Sequence, residues 1–190
     1  NKSEIENLNN NNLPIYEKNL KKILNEENLK KKIFFKDNIK NFKNINILWY
    51  CLDTPINKRG KTNEEYVIKE IKKSLKYFNK IKYLIISSQI PLGTFKLIEN
   101  FIKRNKIKTK LIYIPENLRL GNSIKNFLRP DRIIVGARSK NEFNIIKKIF
   151  NKIRFKLINV SPESAELIKH SINGFLALSI CYINEVTKIA

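Results

Sequence analysis

Five short runs rich in isoleucine, leucine, valine and aromatic residues recur along the chain, at 45–52, 83–87, 110–114, 132–135 and 155–158. Between most of them lie stretches with the apolar spacing of an amphipathic helix, clearest at 63–76, 94–105 and 142–152. Runs that are apolar on both faces and separated by helices predict a parallel sheet in βαβ units, joined by right-handed crossovers. In such a sheet the ligand loops lie beyond the carboxyl ends of the strands. Thr54-Pro55, the stretch 88–93 and the stretch 115–121 each begin at such an end. The last stretch, 162–190, is helical in pattern without a breaker beyond Gly174, and Pro162 suits a first helical turn.

Two segments carry the candidate chemistry. Ile-Pro-Glu-Asn-Leu-Arg-Leu-Gly at 114–121 sets Glu116 just after an apolar run and a proline. Ala-Glu-Leu-Ile-Lys-His-Ser-Ile-Asn-Gly-Phe-Leu-Ala at 165–177 sets Lys169 and Asn173 four apart, on one face of a helix. A lysine and an amide on an otherwise apolar helix are costly to bury unless something polar meets them. By itself, Lys169 also reads as a snorkelling surface lysine, and Asn173 as a surface amide. Glu116 also reads as a carboxylate favoured near a helix N-terminus.

These segments resemble the Asn-Pro-Glu-Phe-Leu-Arg-Glu-Gly and Ala-Glu-x-x-Lys-x-x-x-Asn-x-x-Leu-Ala motifs of the UDP-glucose/GDP-mannose dehydrogenase family. Leu52-Asp53-Thr54-Pro55 is similar to the family's Val-x-Thr-Pro turn, and 88–94 to its Ser-Thr-Val-Pro-x-Gly-Thr loop. Weaker echoes at 13–17 and 130–136 extend the match over nearly the whole chain. Three positions depart from the motifs: Gln89 replaces a threonine, Ile114 an asparagine and Leu120 a glutamate.

The resemblance implies an NAD-dependent nucleotide-sugar 6-dehydrogenase, which oxidises the sugar's primary alcohol to a carboxylate in two hydride transfers. It implies catalytic roles for Glu116, Lys169 and Asn173, and contacts to the dinucleotide from Leu52, Asp53, Thr54, Pro55, Ser88, Gln89 and Ile90. Contacts to a UDP-sugar would come from Glu116, Asn117, Leu118, Arg119, Lys169 and Asn173. It further implies an α/β fold: a Rossmann-like, mostly parallel sheet lacking the first βαβ unit, over 1–160. The start of a long helix of a central dimerisation domain would follow over 161–190 and support a homodimer. No Gly-x-Gly-x-x-Gly turn occurs in the sequence, and neither Cys51 nor Cys181 matches the family's Gly-Phe-Gly-Gly-x-Cys nucleophile. The expectation is therefore an internal fragment, inactive alone.

Composition adjusts this picture only slightly. The hydrophobic fraction of 42% is ordinary for a globular protein. No run approaches the roughly 18 apolar residues of a membrane span, the Asn-rich start is unlike a secretory signal, and a cytoplasmic protein is expected. Cys51 and Cys181 sit in apolar runs and are expected as buried, reduced thiols. His170 reads as structural, and no metal site is expected. The net charge of +21 raises a nucleic-acid reading. Against it, the lysines are dispersed over apparent solvent faces and accompany no nucleic-acid motif. The charge would also attract anionic ligands such as nucleotide sugars. Two alternatives stay open at this point: a β-hydroxyacid dehydrogenase, which shares the Lys-x-x-x-Asn pair, and a basic nucleic-acid binder on an α/β scaffold.

Overall fold

The computed structural model describes residues 2–29, 32–38, 40, 42, 44–55, 63–78, 80–116, 118, 121–153 and 155–189. They form two compact units, one of residues 1–45, 117–131 and 153–155, the other of residues 46–116, 132–152 and 156–190.

The second unit holds five strands in one sheet, in chain order: β1 Ile47–Tyr50, β2 Tyr83–Ile86, β3 Lys110–Tyr113, β4 Arg132–Gly136 and β5 Lys156–Val160. β1, β2 and β3 run parallel, in the register Tyr50, Ile86, Tyr113 at their carboxyl ends. β4 and β5 are parallel to each other. The sheet is mostly parallel, as the alternation of runs and helices predicts, with one reversal: β3 meets β4 antiparallel through Tyr113 and Gly136. A parallel step needs a crossover helix that covers the sheet. Between β3 and β4 the helix among the described residues is α5 Ser123–Leu128, six residues with none buried, so no covering crossover forms there.

The crossovers between parallel neighbours are made by α3 Glu64–Tyr77, α4 Thr94–Arg104 and, between β4 and β5, α6 Lys140–Ile149. α3 turns Val67, Ile71, Ser74 and Leu75 inward, and α4 turns Phe95, Ile98 and Ile102 inward, against Leu84, Ile85, Ile86 and Ile112 of the strands. Each of the apolar side chains among these contributes about 1.5–3 kcal/mol when fully buried. α6 Lys140–Ile149 starts with a capping box in which Ser139 and Glu142 satisfy each other's backbone N–H. The chain then enters α7 Pro162–Thr187, with proline in its first turn as expected. At its start α7 lies so close to β4 that a Cβ on Gly136 would meet the Ala165 Cβ and the Pro162 Cα at 2.9 Å.

The first unit contains α1 Lys2–Asn9, α2 Leu20–Leu29 and α5, none of which the apolar pattern announces. Among its described residues no apolar side chain is buried. Its buried group is Glu17, whose carboxylate accepts from the Gly121 N–H at 2.6 Å and the Ser123 N–H at 3.2 Å.

Candidate active site

The carboxyl ends of β1, β2 and β3 present three loops, and α7 approaches the second of them. That loop begins at Ser88 and Gln89 and closes in a turn through Pro91 and Gly93, with the Thr94 N–H donating to the Pro91 carbonyl at 3.2 Å. Gly93 has φ +88°, which the third position of such a turn requires and which glycine adopts without a Cβ penalty. Glycine brings no side chain to cap α4. The cap comes instead from Glu166 of α7, whose carboxylate accepts from the Gly93 N–H at 2.8 Å and the Phe95 N–H at 2.7 Å. Glu166 is only 1% exposed. Burial pushes its carboxyl up from the usual range, and the two amide hydrogen bonds oppose that rise.

One turn along α7, the His170 Nε2–H donates to the Ile90 carbonyl at 2.8 Å, since a carbonyl can only accept. A further turn on, the Asn173 amide donates to the Gln89 side-chain oxygen at 3.4 Å. Glu166, His170 and Asn173 thus follow the i, i+4, i+7 spacing of one helix face. Across the edge, the Thr54 hydroxyl donates to the Gln89 carbonyl at 2.6 Å and ties the turn after β1 to the loop after β2. Gln89 sits between the two.

Lys169 is half-buried. Desolvation lowers its ammonium below the usual lysine value, and the Glu116 carboxylate, near enough to act on it, opposes that shift. Glu116 itself is exposed at the end of β3. The structure therefore brings Lys169 towards Glu116, and Asn173 towards Gln89, along one edge. Leu52, Asp53 and Pro55 lie exposed after β1, while Ser88 and Ile90 are buried on either side of exposed Gln89. The Ser88 hydroxyl oxygen is buried without a hydrogen-bond partner among the described residues. Leu118 belongs to the first unit and is exposed. Asn117 and Arg119 lie outside the described residues, as does Leu120.

Both cysteines correct the expectation of buried thiols: Cys51 and Cys181 are free and exposed. Cys51 ends up outside because β1 stops at Tyr50, and Cys181 because α7 has by then left the sheet behind. Partial desolvation raises the Cys51 thiol, and the Glu116 carboxylate raises it further, the reverse of what activates a nucleophile. The sequence reading assigned no part to Glu166 and treated His170 as structural. The available signal was the spacing of polar residues 166, 170 and 173 on an apolar helix.

A separate cavity of about 820 Å³ lies between α3 and α4, lined by Lys69, Lys72, Lys73, Lys76 and Arg104 against Glu65 and by none of the expected site residues. Among the described residues no three histidine, cysteine, aspartate or glutamate side chains gather as metal ligands, and no helix is long and apolar enough to cross a membrane.

An open, mostly parallel sheet with its polar loops gathered beyond the carboxyl ends of three strands is the architecture of dinucleotide-binding domains. Residues 1–154 match the model of the UDP-glucose/GDP-mannose dehydrogenase family, NAD binding domain. The chain belongs to that family. It is 33% identical to a UDP-glucose 6-dehydrogenase of Rickettsia bellii, over 98% of this chain and 44% of the relative. Among solved structures it resembles a UDP-glucose dehydrogenase of Pyrobaculum islandicum (TM-score 0.83, 23% identity, 98% of this chain and 45% of the other). It also resembles a GDP-mannose dehydrogenase of Pseudomonas aeruginosa (TM-score 0.86, 19% identity, 97% and 45%). The chain spans less than half the length of these proteins. NAD is the cofactor of the matched domain, and the strand-end loops fit it: Thr54 and Gln89 are joined there, and the buried Ser88 hydroxyl awaits a partner.

Proposed function

We propose that these residues form the cofactor side and part of the sugar side of a nucleotide-sugar 6-dehydrogenase acting on a UDP-sugar, as in UDP-glucose oxidation. The observation that carries this reading is that the Glu116 carboxylate lies near enough to act on the half-buried Lys169 ammonium, with Asn173 one turn along the same helix, in a domain of this family. The family match weighs against the β-hydroxyacid alternative.

Bound NAD supplies the hydride acceptor. The Lys169 ammonium stabilises negative charge on the sugar's reacting oxygen as its proton leaves. Asn173 donates to the same oxygen, since an amide carries two N–H donors and Gln89 takes one. Glu116, exposed to solvent, accepts the proton through water. Leu52, Asp53, Thr54, Pro55, Ser88, Gln89 and Ile90 flank the dinucleotide, and Asn117, Leu118 and Arg119 continue the sugar side from Glu116. The second oxidation, to a carboxylate, needs a thiol that neither Cys51 nor Cys181 provides, so the 190 residues alone do not carry the sugar through to the carboxylate.

On this reading 1–160 is the Rossmann-like part and 161–190 opens a helical domain through which two copies associate in the cytoplasm. The test is NADH formation by a longer protein containing this chain, across UDP-glucose, UDP-N-acetylmannosamine and GDP-mannose. Turnover with a UDP-sugar supports the reading, and turnover only with small hydroxyacids overturns it. The lysine-lined cavity favours a second reading, a polyanion-binding surface on α3 and α4. It predicts nucleic-acid binding that weakens steeply with salt.

A further inference from the structure

We infer that Glu166 and His170 are positioning residues: together they latch the loop 88–95 onto α7 and so hold Gln89 and Ile90 at a fixed distance from Lys169 and Asn173. The inference rests on the dehydrogenase reading for its functional half and on geometry alone for its structural half.

Glu166 is an expensive way to pack a helix. A carboxylate withdrawn from water costs several kcal/mol unless hydrogen bonds replace the lost hydration, and an apolar side chain would fill the space more cheaply. Both Glu166 oxygens are committed to one turn, on Gly93 and Phe95. The turn in turn depends on Glu166, because Gly93 leaves α4 with no cap of its own. The second point of attachment is independent of the first. His170 uses its Nε2–H on the Ile90 carbonyl, at the other end of the turn, in a loop where the neighbouring Gln89 already touches Asn173. Two bonds from successive turns of a rigid helix remove both sliding and rocking of the loop. Lys169 lies on the same stretch of α7, between the two latch residues. Any loosening of the loop therefore changes the spacing between the residues read as cofactor-side and those read as sugar-side.

Two substitutions separate this role from packing. His170→Gln keeps a donor at the end of a side chain of similar reach, whereas His170→Leu keeps only apolar bulk. In the protein, His170→Leu should speed amide hydrogen exchange of the Gly93 and Phe95 N–H groups about tenfold, the scale of losing one buried hydrogen bond. His170→Gln should restore wild-type exchange. Glu166→Gln keeps one acceptor but turns a donor towards an N–H, and should release these amides more than His170→Leu does. In NADH kinetics of the longer protein, His170→Leu should raise KM for NAD about tenfold with kcat within about threefold, the pattern of lost uniform binding, again rescued by Gln. Unchanged exchange in both His170→Leu and Glu166→Gln would overturn the latch. Faster exchange with an unchanged KM for NAD would overturn the positioning role while leaving the latch. Absence of any NAD-dependent turnover in the longer protein with the wild-type sequence would instead refute the dehydrogenase reading, with the exchange result standing apart from it.

Discussion

The two halves of α7 invert the usual relation between polarity and burial. In the first half, the residues held against the rest of the unit include a carboxylate, an imidazole and an amide, each bonded to the loop after β2. In the second half, Phe175, Leu178, Ile180 and Tyr182 are all more than 60% exposed. Length explains part of this. A helix of 26 residues extends about 39 Å, whereas strands of four or five residues span about 13–17 Å, so the sheet cannot cover all of α7. The contrast teaches that polar groups go inside where a loop's backbone meets them. Apolar groups stay outside where this chain offers no surface, as in patches that mark an interface.

The two glycines that flank this contrast break it most sharply. Gly136→Ala should destabilise the protein by about 1–3 kcal/mol in urea unfolding, since the new methyl overpacks the contact with Pro162 and Ala165. Gly174, at the junction of the halves, has nothing within 4 Å of a built Cβ. Gly174→Ala should therefore stabilise by about 0.5–1 kcal/mol through helix propensity alone. Equal signs for the two would show that α7 is not held where the structure has it.

A smaller, pH-dependent effect belongs to Lys169. Desolvation lowers its ammonium in the folded state, so the unfolded chain binds the proton more tightly. Between the lowered value and the ordinary one near pH ~10.4, the unfolded state carries more protons and stability rises with pH. Lys169→Met should thus raise the melting temperature at neutral pH, with the gain shrinking as pH climbs through that window. A variant less stable than wild type at neutral pH would contradict this. The smallest intrinsic effect is expected in the second half, where Leu178→Glu should change stability by less than about 0.5 kcal/mol, as for surface positions generally. In sedimentation of the longer protein the same change should shift dimer towards monomer.

The strands and main helices of the second unit were legible because each has a strong period: continuous apolar runs for β1 to β5, and amphipathic spacing for α3, α4 and α6. The reversal at β3 and β4 was not, because a run such as 132–135 reads the same in either direction and the difference lies in a connection without a covering helix. α1, α2 and α5 were harder to read for a different reason: they are six to ten residues long, too short for their few apolar positions to set a clear period, and among the described residues they bury no apolar side chain. At the site, Glu116, Lys169 and Asn173 could be named from spacing and motif, but Glu166 could not be given its task. Its partners are backbone N–H groups of Gly93 and Phe95, and backbone groups leave no signature in side-chain order. Gln89 illustrates the same limit, since a departure from the motif turns out to touch both Thr54 and Asn173.

On the proposed reading, Lys169 acts on charge that develops during the reaction. Steady-state kinetics of Lys169→Ala in the longer protein, with a UDP-sugar and NAD both varied, test it most directly. Removing one such electrostatic group should lower kcat by roughly 10²–10³-fold, while KM for the sugar moves by no more than about threefold, because the stabilised charge is absent from the ground state. An unchanged kcat, or a loss confined to KM, would contradict it.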